Sequence, residues 1–303
     1  MRPTLRQMQY IVAVAERGRF SEASRALHVS QPSLSAQIQE AEAALGAAVF
    51  ERSRTGAILT PVGEEIVRRA RLILRQVEDL HAVAAHGGAG LYGRLRMGVL
   101  PTVGPYLLPL ATAAMHAAYP DLRLNIRDDR PDMLQDRLTD GRLDALISTP
   151  EEHPGAETQT LFTERLFACC ADDDPLAQKR GPLDLGALKS RTLLTLGLGH
   201  RLTTLVHEIA RRSGAVVSHE YEGTSLDAIR HMAGLGAGVA VMPELYVCCE
   251  GHRDDNVVFR PLDDDQAVRT IALCWRPESP LVDGFRELGA LLSEAGLRAL
   301  ADA

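Results

Sequence analysis

The sequence predicts an α+β multidomain chain: an N-terminal winged helix-turn-helix, a long coiled-coil linker helix, and a C-terminal α/β region that fills the rest. Three observations predict it. Ser21 and Ser30 stand as caps ahead of two short stretches with helical apolar spacing. Thr60-Pro61 opens a third stretch whose apolar residues are spaced by fours and threes, and from Leu95 onward short apolar runs alternate with helical ones.

The first helix, Leu5 to Ala15, is expected to bury Leu5, Met8, Ile11, Val12 and Ala15 and to end at Gly18. Ser21 is expected to cap the second, with Ala23, Ala26 and Leu27 inward. Ser30 caps the third, whose first turn contains Pro32, where a missing N–H costs nothing. On that helix Leu34, Ile38, Ala41 and Leu45 form the anchoring stripe, and Gln31, Ser33, Ser35 and Gln37 project from the other side. Short polar side chains of this kind match base edges and phosphates in a major groove. Gly46 ends the helix. Val49 and Phe50 begin a strand, Glu51 to Gly56 is a polar turn, and Ile58 and Leu59 return, which makes a two-stranded wing. Gln31, Pro32, Ser33, Ser35 and Gln37 are therefore the expected groove contacts, and Ser30, Arg52 and Arg54 the phosphate contacts.

The helix that begins at Pro61 carries Ile66, Ala70, Ile73, Val77, Leu80 and Ala84, the seam of a two-stranded coiled coil, and Gly87, Gly88 and Gly90 are expected to end it in a hinge. Dimerisation would set two reading heads on one axis and demand two half-sites in double-stranded promoter DNA. The expected boundaries are 1–60 for the winged domain, 61–90 for the linker and 91–303 for the regulatory region.

Composition excludes several classes. The chain has 303 residues and 46% apolar content, enough for more than one core. It contains neither a membrane-length apolar run nor an N-terminal hydrophobic signal region, so a cytoplasmic chain with no membrane partner is expected. Five cysteines without CxxC spacing argue against a disulfide framework and a zinc site. The net charge of −7 divides into +2 for residues 1–90, from 11 basic against 9 acidic side chains, and −9 for the remainder, so only the N-terminal part suits a polyanion. GxSxG is absent, and the GLGAG at Gly234 to Gly238 precedes a strand instead of following one. No catalysis and no cofactor are expected.

In the α/β region three helix starts follow strands: Pro101 to Gly104, Gly199 to Arg201, and Thr224-Ser225. Ligands in such sheets sit where helices begin. Together with Arg269, these starts make Thr102, His200, Arg201, Thr224, Ser225 and Arg269 the expected binding set for a small anion.

The run from Leu5 to Ser53, LRQMQYIVAVAERGRFSEASRALHVSQPSLSAQIQEAEAALGAAVFERS, resembles the N-terminal domain of LysR-type transcriptional regulators, and the similarity continues along the whole chain. VLPTVGPYLLP (99–109), TSLDAIRHMAGLGAGVAVMP (224–243) and RTIALCWRPESPL (269–281) resemble in particular the hydrogen-peroxide-sensing, OxyR-type branch. The resemblance implies a two-lobed effector-binding domain like a periplasmic binding protein, with lobe I at about 91–163 and 268–303 and lobe II at about 164–267. It also implies dimers paired into tetramers, and contact with RNA polymerase if the protein activates.

One departure matters. In that branch the residue after the histidine of the Gly-His motif is the peroxide-reactive cysteine; here it is Arg201, and Leu202 to Arg212, where the resolving cysteine belongs, contains none. A threonine that helps hold peroxide aligns with Pro131, whereas Thr102, His200 and Arg269 match. Arginine forms neither a sulfenic acid nor a disulfide. Cys169-Cys170 and Cys248-Cys249 are vicinal, and in a strand such neighbours face opposite ways; with Cys274 they are read as small buried residues. The expectation is a regulator that binds a small anionic effector against Arg201 and Arg269. The alternatives are a ligand-independent regulator, a thiol-based sensor using the remaining cysteines, and a metabolic enzyme.

Overall fold

A computed structural model describes residues 2–53, 56–86, 91–251 and 256–301. The chain divides into two compact units, 1–89 with 139–142, and 90–138 with 143–303.

In the first unit α1 (Leu5–Arg17) opens with a capping box: Thr4 accepts from the Gln7 amide and the Gln7 side chain accepts from the Thr4 amide. Gly18 closes the helix in the left-handed region, φ 69°. Its buried face is Gln7, Tyr10, Ile11 and Val14, not the Leu5, Met8, Ile11, Val12, Ala15 stripe expected, and Leu5 is 43% exposed. Two overlapping apolar stripes run along this helix, and packing against three neighbouring helices selects the one that periodicity alone does not.

Helix α2 (Phe20–Ala26) begins with Arg19 at the cap position, without a side-chain cap bond; Ser21 lies inside the helix, and Ser24 is buried where Ala26 was expected. Phe20 meets the Phe50 ring edge-on, centroids 5.7 Å apart, so an apolar contact fixes this start. Helix α3 (Gln31–Leu45) follows its signals more closely. Ser30 Oγ accepts from the Ser33 amide at 3.3 Å, and Gly46 ends the helix at φ 70°. Leu34, Ile38 and Ala41 are fully buried against Tyr10, Ile11, Val14 and Val67. Each of the two larger side chains contributes about 1.5–3 kcal/mol. Leu45, on the last turn, is 39% exposed instead of buried.

Strands β1 (Phe50–Ser53) and β2 (Gly56–Leu59) pair antiparallel, from Phe50↔Leu59 to Ser53↔Gly56. Arg52 thus belongs to a strand and not to the turn, and Arg54 lies outside the described residues. A Cβ at Gly56 would stand 2.6 Å from the Gly18 carbonyl oxygen, which accepts from the Ala57 amide at 2.9 Å; glycine lets the wing touch the α1–α2 turn. Helix α4 (Pro61–His86) is capped by Thr60, whose hydroxyl accepts from the Gly63 amide and donates to the Ala48 carbonyl. Val67 and Ala70 are buried, whereas Ile73 and Leu80 on the predicted seam are exposed. The expected hinge glycines Gly87, Gly88 and Gly90 lie outside the described residues.

The second unit runs β3 (Gly93–Val99), α5 (Gly104–Ala118), β4 (Leu122–Asp128), α6 (Pro131–Thr139), β5 (Ala145–Ser148), β6 (Glu157–Ala171), β7 (Leu183–Asp184), β8 (Thr192–Leu194), α7 (Arg201–Ser213), β9 (Val216–Val217), α8 (Leu226–Gly234), β10 (Val239–Pro243), α9 (Glu244–Glu250), β11 (Val257–Asp263), β12 (Val268–Trp275) and α10 (Val282–Ala301). The strands lie in the order β4-β3-β5-β12-β6-β10-β8-β9, with β11 on β6 and β7 on β11. Pairs among β3, β4 and β5 and among β8, β9 and β10 are parallel, and every pair with β6 is antiparallel.

Strand β6 changes partners along its length. Its residues to Arg165 pair with β12, and from Leu166 onward they pair with β10 and β11. The sequence announces only its apolar second half; the polar first half, together with β11 and α9, was not anticipated. Cys248 and Cys249 consequently lie on a helix and not on a strand, and both are half-buried instead of buried. Helix α10 returns to pack on α5 and β6. No helix among the described residues is long and apolar enough to cross a membrane.

Candidate functional site

Two sites follow from this framework. On the first unit, the start of α3 presents Ser30, Gln31, Pro32 and Ser33 to solvent. Ser35 and Gln37 are half-buried. Gln37 accepts from Gln7 Nε2 at 3.4 Å and donates to Glu40 Oε2 at 2.9 Å, so its side chain is held before any DNA arrives. Glu42, which sequence reasoning missed, accepts from the amides of Val49 (2.8 Å) and Phe50 (3.1 Å) and ties the wing to this helix. Its only signal is position, seven and eight residues ahead of the strand entry.

On the second unit the site is organised by Arg269, near the start of β12, opposite Glu164 on β6. Both are buried. The guanidinium donates from Nε to Glu164 Oε1 at 2.6 Å, from Nη1 to Thr102 Oγ1 at 2.9 Å, and from Nη2 to the Thr102 carbonyl at 3.1 Å. The other oxygen of Glu164 accepts from the Leu245 amide at the start of α9, at 2.8 Å. Beside it, the Arg165 amide donates to Glu244 Oε2 at 3.0 Å, and its guanidinium pairs with the same carboxylate at 2.5 Å. The point where β6 changes partners is therefore clamped to α9 by the Arg165–Glu244 pair and the Leu245 amide on Glu164, and to β12 by the Arg269–Glu164 pair.

His200 precedes α7 and is 4% exposed; Nε2 is buried and has no hydrogen-bond partner among the described residues. Burial lowers its pKa, and the Arg130 and Arg269 charges lower it further, so the imidazole is neutral at neutral pH. In the same β8–α7 connection the Thr195 hydroxyl is likewise buried, without a hydrogen-bond partner among the described residues. Thr203, also missed in the sequence, donates its hydroxyl to the Leu196 and Gly197 carbonyls at 3.2 and 2.9 Å and holds that connection in place.

Arg201, half-buried, pairs with Glu208 at 3.4 Å. Its charge also favours ionised Glu152, whose pKa burial nevertheless raises. Thr224 is exposed, and Ser225 caps α8 by accepting from the Ala228 amide at 3.2 Å. Pro131 is buried at the start of α6. The structure therefore gathers Thr102, Arg269 and Glu164 into one bonded cluster beside His200. It gives Arg201 a carboxylate partner and uses Ser225 as a helix cap.

Three of the five thiols are held towards the protonated form. Burial is the first cause of a raised pKa at Cys170, to about 11, at Cys248, to about 12, and at Cys274, to about 12; Cys169 is fully buried. A protonated thiol is a poor nucleophile towards peroxide.

His153, just beyond β5, hydrogen-bonds Gln135 at 2.8 Å and Ser148 at 2.7 Å, and burial lowers its pKa to about 4. An unfolded histidine protonates near 6.5. Between these values the unfolded chain binds a proton that the folded chain does not, so stability is complete above about pH 6.5 and falls as pH drops towards 4. The urea midpoint of the wild type is expected to fall more between about pH 6.5 and 4.5 than that of His153→Gln; equal falls would contradict this assignment.

Comparison with known proteins gives the family of each part of the chain. Residues 5–64 match the model of the bacterial regulatory helix-turn-helix protein, lysR family, and residues 88–296 match the LysR substrate binding domain. A hydrogen peroxide-inducible genes activator of Haemophilus influenzae is 34% identical over 96% of each chain. A full-length OxyR from Pseudomonas aeruginosa, a cysteine-to-aspartate mutant, is 33% identical, with 97% of this chain and 94% of that one covered and a TM-score of 0.78. A cysteine-to-serine mutant of Corynebacterium glutamicum OxyR with hydrogen peroxide bound is 31% identical, covering 99% and 95%, with a TM-score of 0.68.

Proposed function

The chain belongs to the LysR family of transcriptional regulators, and from that premise we propose that its second unit senses a small effector by non-covalent binding beside His200 and not by thiol oxidation. It is a DNA-binding regulator of OxyR-like sequence and not an enzyme. The observation that carries the proposal is the identity and state of residue 201: a guanidinium paired with Glu208, in a chain where burial holds the Cys170, Cys248 and Cys274 thiols towards the protonated form.

The sequence favours an anionic effector, held by Arg201 and Arg269. Both guanidinium groups already have carboxylate partners, and in the β8–α7 connection the two buried atoms without a hydrogen-bond partner among the described residues, His200 Nε2 and the Thr195 hydroxyl, belong to neutral groups. That pattern supports a small uncharged molecule able to donate and accept hydrogen bonds. Its binding would favour one arrangement of two lobes hinged where β6 changes partners. On the DNA side, Gln31, Pro32, Ser33, Ser35 and Gln37 read the groove, with Ser30, Arg52 and Arg54 on phosphate. Self-pairing along the exposed Ile73 and Leu80 face of α4 would give dimers, and paired dimers a tetramer on two half-sites. Effector binding then alters half-site spacing or DNA bend for RNA polymerase in the cytoplasm.

A gel shift tests both halves of the proposal. DNA from upstream of the gene is expected to bind tightly, with affinity falling steeply as salt rises. Hydrogen peroxide is expected to leave that affinity and the footprint unchanged, in the wild type and equally in a variant with all five cysteines replaced by alanine or serine. A peroxide-induced change in the wild type that the variant loses would transfer the reading to thiol chemistry.

A further inference from the structure

Away from the cleft, two exposed histidines from different elements face one another. His207 lies in the middle of α7, and His219 in the extended segment that leaves β9. Their ring centroids are 6.1 Å apart and their planes are inclined by 31°. Among the described residues neither imidazole has a hydrogen-bond or ion-pair partner.

An imidazole nitrogen lies about 2.0–2.1 Å from a bound zinc ion. Adding the distance from that nitrogen to its ring centre, two imidazoles on one ion have centroids roughly 5–6.5 Å apart, from tetrahedral to linear arrangements. The observed separation falls inside that window. Ring contact alone is a weak reason for such a pair, because two imidazoles repel once both are protonated.

We propose that His207 and His219 form a two-imidazole site for a borderline divalent transition-metal ion such as Zn²⁺. Imidazole favours zinc, copper and nickel over magnesium or calcium, which prefer oxygen donors. Among the described residues no group of three or more His, Cys, Asp or Glu could hold a metal, so water completes the coordination and affinity is modest. The bridge has a structural consequence. Among the described residues strand β9 is an edge strand paired with β8 alone, and α7 begins with Arg201 directly after His200. A metal on this pair would pin the helix that carries one wall of the cleft to the edge of its own sheet.

Isothermal titration of the full-length protein with zinc chloride at about pH 7.5 tests the site. One equivalent per chain, bound with modest affinity, is expected, and His207→Ala and His219→Ala should each weaken it by about tenfold or more. The double variant should be little worse than either single one, because one remaining imidazole makes no chelate. Zinc should raise the melting temperature of the wild type and not that of the double variant. Both rings are exposed, so these variants are expected to fold, which circular dichroism checks. Unchanged binding in the double variant, or two independent and additive losses, would overturn the proposal.

Discussion

Arg269→Ala is expected to destabilise the second unit by about 3–5 kcal/mol, the cost of leaving a buried carboxylate without its partner. The Arg269 and Glu164 side chains are 2% and 0% exposed, so water cannot replace the lost guanidinium. The same substitution strips two hydrogen bonds from Thr102. Arg165→Ala breaks the neighbouring pair with Glu244, but the Arg165 side chain is 59% exposed and the effect should be about 1 kcal/mol. Urea unfolding of the full-length protein separates the two predictions: the midpoint of the C-terminal transition should drop sharply for the first and slightly for the second. Pairing Arg269→Met with Glu164→Gln should recover much of the loss, since an uncharged pair needs no compensation. A drop below about 1 kcal/mol for Arg269→Ala would mean that solvent reaches Glu164 and that the clamp is not the dry cluster described.

That clamp also marks what the sequence could and could not reveal. Ser30, Pro32, Leu34 and Ile38 were legible because a cap, a tolerated proline and a buried stripe are all specified within one helix. The Thr60-Pro61 start was legible for the same reason. Arg269 and Thr102 could be picked out singly, yet their partner Glu164 could not. The ion pair spans 105 residues of sequence, and its acid sits in a polar run that alternates too weakly to announce a strand. Without Glu164, Arg269 looks like a free charge waiting for an anion. Likewise, the stripe on α1 was misplaced because its register depends on which neighbours it packs against. Local signals were read correctly where the cause is local, and missed where the cause is a contact between distant segments.

Ser33→Glu is expected to abolish specific DNA binding, by about a hundredfold or more, while leaving the fold slightly more stable. The two effects separate because they act on different faces of the same turn. Ser30 already caps α3 by accepting from the amide of residue 33, and the introduced glutamate would supply the missing half of a capping box. A negative charge in the first helical turn also suits the helix dipole. Toward DNA, however, that charge would meet phosphates or acceptor-rich base edges, and juxtaposed like charges cost several kcal/mol. Ser33→Ala, which removes one hydroxyl and adds no charge, should weaken binding only modestly. Thermal unfolding monitors the helix and a gel shift at fixed salt monitors the interface. If the glutamate variant stays folded and binds promoter DNA as tightly as the wild type, the N-terminal end of α3 does not face the duplex.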